Sequence, residues 1–275
     1  MKSSNPIFSR RGFDRPAGAG SAGDHLVNPY AGVGGSSLLK ESPTVRMTMP
    51  MTMDDVIVRT AATLGTVVLT AALSWVLLPV DQDALGRSYG IAVTAAVTAF
   101  VLSLVQTFKR TPSPALILGY AAFEGVFLGV ISDTTSTYVA PGVIVQAVLG
   151  TFAVFAGVLI AYRMRWIRVT RRFFGFVLAS ATGFLLLTAV DLLLSALGAG
   201  NGLGLGGGGL GVVFGVAGVL LGACFLALDF KQVEDAIAYG APREESWLAA
   251  FGLTATLVWI YLEALRVLTI LRDDI

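Results

Sequence analysis

The chain has 275 residues, of which 55% are hydrophobic and only 13% charged, and its mean hydropathy is +0.76. A soluble domain carries roughly 25% charge, so the composition excludes one and describes a chain that crosses a membrane several times. The net charge of +1 gives no pull toward nucleic acid; the one Cys, Cys224, can close no intrachain disulfide, and the one His, His25, precedes every apolar run, which removes His-based intramembrane catalysis and His-rich metal sites.

Residues 1–50 stand apart. The stretch "MKSSNPIFSRRGFDRPAGAGSAGDH" is rich in Ser, Gly, Pro and Arg and has no apolar period. Such a segment cannot bury a core, and it lacks the apolar centre of a signal peptide. It reads as a disordered cytoplasmic tail, dispensable for folding. "MTMPMTMDDVIVRT" then leads into the first span, with Asp54 or Asp55 placed to cap it. Residues 51–275 form the second unit. Seven apolar runs fall at roughly 56–78, 89–108, 114–132, 142–162, 173–197, 208–229 and 247–270. They are apolar all round, so their solvent is lipid rather than water. The expected fold is an all-α membrane protein, a bundle of seven transmembrane helices.

Lys and Arg set the orientation. The tail and its junction hold Lys2, Arg10, Arg11, Arg15, Lys40, Arg46 and Arg59. Lys109 and Arg110 follow the second run, "RMRWIRVTRR" the fourth, and Lys231 and Arg243 the sixth; the alternate loops hold only Arg87. This places the N-terminus in the cytoplasm of a multi-pass plasma-membrane protein. Seven full spans put the C-terminus outside. Arg266 and Arg272 pull the other way, which keeps a re-entrant or tilted last helix open. The glycine-rich loop "GAGNGLGLGGGGLG" lies on the outer side. The pairs Gly125/Gly129, Gly211/Gly215 and Gly218/Gly222 permit close helix approach.

Four acids fall within or at the edge of the spans: Glu124, Asp191, Asp229 and Glu263. A charge at the centre of a membrane helix costs at least about 2–3 kcal/mol on insertion scales, so each needs a reason. At about 1.5 Å of rise per residue, Glu124 lies roughly 15 Å beyond Pro114, near the midplane, Asp229 at the inner end of its run, and Asp191 and Glu263 in the outer half. Together they make a candidate ladder for a cation or proton, a pathway that is also a pH sensor. Arg266, one turn past Glu263, is the alternative: a local ion pair that makes Glu263 structural.

"YAAFEGVFLGVIS" (Tyr120 to Ser132), "LDFKQVEDAI" (Leu228 to Ile237) and "WIYLEALRVL" (Trp259 to Leu268) resemble the Bax inhibitor-1 / YccA-like family, over roughly residues 54–272, and its actinobacterial-type branch with a long N-terminal tail. The resemblance implies seven helices with the last one central, in a bacterial inner membrane. It implies a cation leak, with Ca²⁺ as the transported ion and no cofactor, gated by pH through two carboxylates. Asp229 matches the first of these. Glu263, the acid of the last span, stands in "YLE" where the family has "YLD", and the pair would be the metal-binding residues. The gap from Asp229 to Glu263 is about two helical turns longer than the family's, and counting from Trp247 puts Thr254 or Thr256 at the second position instead. The physics of such a sensor is that two close carboxylates in a low dielectric cannot both stay ionised.

The leading function is therefore a pH-sensitive cation (Ca²⁺) leak. The alternative is a regulator that binds and restrains a membrane protease, an activity the resemblance implies for some bacterial relatives; lipid is the other partner. An enzyme is not expected. A rhomboid-type protease needs a membrane His and a zinc protease HExxH, and Asp191 and Asp229 lack the "YD" and "GxGD" contexts of an intramembrane aspartyl protease.

Overall fold

The computed structural model describes residues 49–81, 85–109, 111–139, 141–198 and 202–273. Seven helices follow in series: α1 (Met53–Leu77), α2 (Leu85–Phe108), α3 (Pro114–Tyr138), α4 (Val143–Arg163), α5 (Arg171–Ala196), α6 (Gly208–Ala238) and α7 (Ser246–Asp273). All seven are long and apolar enough to cross a membrane. The protein is a multi-pass membrane protein of all-α class. Large apolar side chains such as Val76, Phe108, Phe152 and Leu192 cover its outer surface, as hydrocarbon as a solvent requires.

The helix ends follow local chemistry. Thr52, not Asp54 or Asp55, is the N-cap of α1: its hydroxyl accepts from the Asp55 amide at 3.3 Å, and the Asp55 carboxylate accepts from the Thr52 amide at 3.2 Å. This reciprocal pair satisfies two free amides at once. Pro114 opens α3 at a position that needs no amide. Two helices outrun their apolar segments. α6 continues nine residues past Asp229, about two and a half turns that carry a Lys231–Asp235 pair at 2.7 Å. α3 continues to Tyr138, where Thr134 and Thr135 hydroxyls return to carbonyls one turn back. Hydropathy alone ends both too early.

α7 is the hub. It packs against α1, α3, α4 and α6, whereas α5 packs on α6 at the periphery. Its 28 residues form one unbroken helix about 42 Å long, which removes the re-entrant alternative. Polar links pin it from several sides: the Thr254 and Thr63 hydroxyls meet at 2.7 Å, and so do those of Tyr261 and Ser132.

The chain before α1 is also tied down. Met49 and Pro50, expected in the tail, pair with the α6–α7 link: the Met51 amide donates to Ala241 O at 2.8 Å and the Arg243 amide to Met49 O at 2.9 Å. Arg243 then bonds Asp55 at 2.7 Å, and Arg59 donates to Arg243 O at 2.6 Å while lying over the Trp247 ring. The rest of the expected tail, residues 1–48, lies outside the described residues.

Glycine sets the closest helix contact. A Cβ on Gly125 would overlap Val67 O and the Thr70 side chain, and one on Gly129 would overlap Ala71 O and Ser74. Backbone cannot yield as a side-chain tip can. Gly125→Ala is expected to destabilise by at least about 1–3 kcal/mol, the usual cost of overpacking. Gly65→Ala, on the open face of α1 with nothing near its Cβ position, is the matched control. Thermal unfolding of the extracted protein should show an earlier transition for Gly125→Ala and none for Gly65→Ala.

Candidate functional site

Asp229 lies in α6 and faces α7. The Thr256 hydroxyl donates to its Oδ2 at 2.6 Å, one helix to the other. The absence of a side chain at Gly252, one turn before Thr256, makes the space: a Cβ there would stand 3.3 Å from Asp229 Oδ1. Asp229 forms the floor of a cleft of about 180 Å³ whose walls include Gln232, Glu245 and Met51. The cleft lies at the basic end of the bundle, where α6 ends and α7 begins. Above Asp229 the α6–α7 seam is sealed by Leu226 and Ile260, both with no exposed surface.

Glu263 lies further along α7. It is seven residues beyond Thr256, about 10 Å of helix, and packs against Gly218 of α6, where a Cβ would meet its carboxylate at 2.8 Å. Its partner is Arg266, at 3.5 Å. Arg266 also donates to Leu205 O and lies over the Phe214 ring, 5.1 Å from its centre. Trp259, between the two acids, donates to Gly218 O at 3.1 Å. Asp229 and Glu263 therefore do not form a pair. Leu226, Ile260 and Trp259 separate them, and no single ion can bridge them. Among the described residues no group of three or more His, Cys, Asp or Glu side chains is placed to hold a metal. The expected shared metal site of Asp229 and Glu263 is not assembled here, because α7 sets Thr256, about two turns before Glu263, against Asp229.

The residues 5–273 match the model of the family described as Bax inhibitor 1 like. The chain belongs to that family. No curated protein matches it. The Bax inhibitor 1 like match runs across nearly the whole chain, so the resemblance carried by the third, sixth and seventh spans extends to the N-terminal segment as well. Opposite Asp229, α7 presents the Thr256 hydroxyl rather than a carboxylate. Counting from Trp247 puts Thr254 or Thr256 opposite Asp229, and it is Thr256 that meets it. The other, Thr254, turns toward α1 instead.

The remaining acids go elsewhere. Asp191 accepts from the Leu203 amide at 2.7 Å, with Gly202 folded against it at φ +60°. It holds the glycine-rich loop in place. Glu124 lines a second cavity, about 330 Å³, between α2, α3 and α7. Phe251 and Ala255 of α7 line that cavity, and Gly252 and Thr256 face Asp229. The two acids thus sit at one level on different flanks of α7, with the helix between them. Sequence reasoning missed Gln232 and Glu245 as cleft residues. Both follow the last apolar turn of α6, where nothing in the composition separates a cleft wall from a loop.

Proposed function

We propose that this chain is a cation leak of the plasma membrane, with Ca²⁺ as its ion, gated at the α6–α7 seam by Asp229. The observation that carries this reading is the position of Asp229: a carboxylate at the floor of an open cleft, latched to the next helix by Thr256, beneath a seal of Leu226 and Ile260. The cleft offers carboxylate and amide oxygens from Asp229, Gln232 and Glu245, the ligand types that Ca²⁺ takes. The glycines Gly218, Gly222 and Gly252 line the same seam and bring the two helices close together. The arrangement is a closed form. A full charge on Asp229 in this apolar seam needs water or a cation beside it, so its protonation state couples to whether an ion enters. This gives the pH response a single-acid basis, with Thr256 as the latch.

The deciding experiment is Ca²⁺ flux into proteoliposomes as a function of pH, wild type beside Asp229→Asn. Flux that depends on pH in the wild type supports the reading. No flux at any pH, with co-purification of a membrane protease, replaces it with the regulator reading.

The orientation is part of the proposal: the basic end, and with it the Asp229 cleft, faces the cytoplasm. Glu244→Cys, exposed in the α6–α7 link, should react with an impermeant maleimide only after permeabilisation. Thr137→Cys and Leu203→Cys, exposed at the other end, should react in intact cells. The reverse pattern would invert the protein.

A further inference from the structure

We propose that the cavity between α2, α3 and α7 is a binding site for an organic ammonium ion that carries an apolar body. Its walls are aromatic. Phe100 comes from α2, Tyr120 and Phe127 from α3 and Phe251 from α7, with Tyr120 and Phe251 edge to face, ring centres 5.0 Å apart. The acceptors are few and convergent: the Glu124 carboxylate, to which no described residue donates a hydrogen bond, and the Ser103 hydroxyl, whose proton is already given to Phe100 O at 2.8 Å. Both present lone pairs to the cavity, and the one side-chain donor left among its lining residues is the Tyr120 hydroxyl. The site therefore asks for a ligand that donates or is positive.

The kind of cation follows from the walls. Ca²⁺ takes six to eight oxygen ligands, and one carboxylate with one hydroxyl cannot supply them. Aromatic faces attract ammonium ions, whose charge is spread over an apolar surface. A neutral lipid chain would fill the volume but leave a carboxylate in hydrocarbon without a partner, which is costly. The volume of about 330 Å³ lies at the lower end of the range for small-molecule pockets. Access is from the side: α2 and α7 each pack on α3, and Phe100 at the rim is 62% exposed on the lipid-facing surface. A ligand that arrives through the bilayer must be amphiphilic, which an ammonium ion with an apolar body is. The proposal uses residues that the leak does not, so each stands or falls alone.

The test uses the full chain in lipid nanodiscs with benzyltrimethylammonium as probe, its neutral isostere neopentylbenzene as control, and empty nanodiscs as the reference for partition into lipid. Binding is read by saturation-transfer NMR. The wild type should bind the ammonium at least tenfold more tightly than the isostere. Glu124→Gln should weaken ammonium binding at least tenfold and leave the isostere unchanged, and Phe251→Leu should weaken it about threefold. Equal binding of the ammonium to wild type and Glu124→Gln overturns the proposal. So does equal binding of ammonium and isostere to the wild type, a comparison that needs no variant to fold. Loss of Ca²⁺ flux, or its absence, bears on neither result.

Discussion

Asp229→Asn should reduce Ca²⁺ flux by tenfold or more and flatten what remains against pH. The substitution keeps the shape of the side chain, and its amide oxygen still accepts from Thr256, so the α6–α7 seam stays closed and folded. What is lost is the charge. A Ca²⁺ ion stripped of water at the floor of the cleft depends on charged oxygens, and Glu245, exposed at the rim, is too well solvated to replace Asp229. Thr256→Val separates the latch from the charge. It keeps the volume and the β-branch and removes the 2.6 Å hydrogen bond. A hydrogen bond to a charged group contributes about 1.5–3 kcal/mol, so its loss should favour opening by a factor on the order of ten or more. Flux should rise in Thr256→Val and fall in Asp229→Asn, with both proteins folded by circular dichroism. If both fall together, Asp229 and Thr256 only brace the helices, and the pathway lies elsewhere.

The seven spans and their order are legible in the sequence, because hydrocarbon leaves little choice: a run of about 20 apolar residues must be helical to satisfy its own backbone; the central place of the last helix is implied only by the family resemblance. The ends are less legible. α3 and α6 run on past their apolar segments into turns whose hydroxyls and charges are paired within the helix, and hydropathy does not register such bonds. The four acids are legible as exceptions but not as an assembly. Their relative depth is not legible either: rise per residue puts Glu124 near the midplane and Asp229 at the inner end, whereas both meet α7 between Phe251 and Thr256. Which flank of α7 each one meets depends on helix rotation, which a span without polar periodicity does not record. That is why a ladder of four resolves into a latched acid, a cavity acid, a loop acid and an ion pair.

The ion pair decides what Glu263 does. Its carboxylate and the Arg266 guanidinium are both mostly buried, with 13% and 25% of their side-chain surface exposed. Removing one member of a buried pair strands the other and costs about 3–5 kcal/mol in full burial. Here the cost should be smaller, about 1–3 kcal/mol, because the 3.5 Å separation is long and Arg266 keeps Leu205 O and the Phe214 face. Glu263→Gln should thus melt several degrees early with the wild-type pH profile of flux. Arg266→Leu should melt earlier still, since it strands Glu263 against Gly218 and also frees the Leu205 carbonyl that anchors the glycine-rich loop. The double change, Glu263→Gln with Arg266→Leu, should recover the loss due to the stranded charge but not the loss due to the carbonyl. Its melting temperature should therefore fall above that of Arg266→Leu and below the wild type. The opposite result, a fully folded Glu263→Gln with wild-type stability and a shifted pH profile, would move Glu263 from the structural frame into the gate. The seal of Leu226 and Ile260 between it and Asp229 would then have to open along its whole length for the two acids to act together.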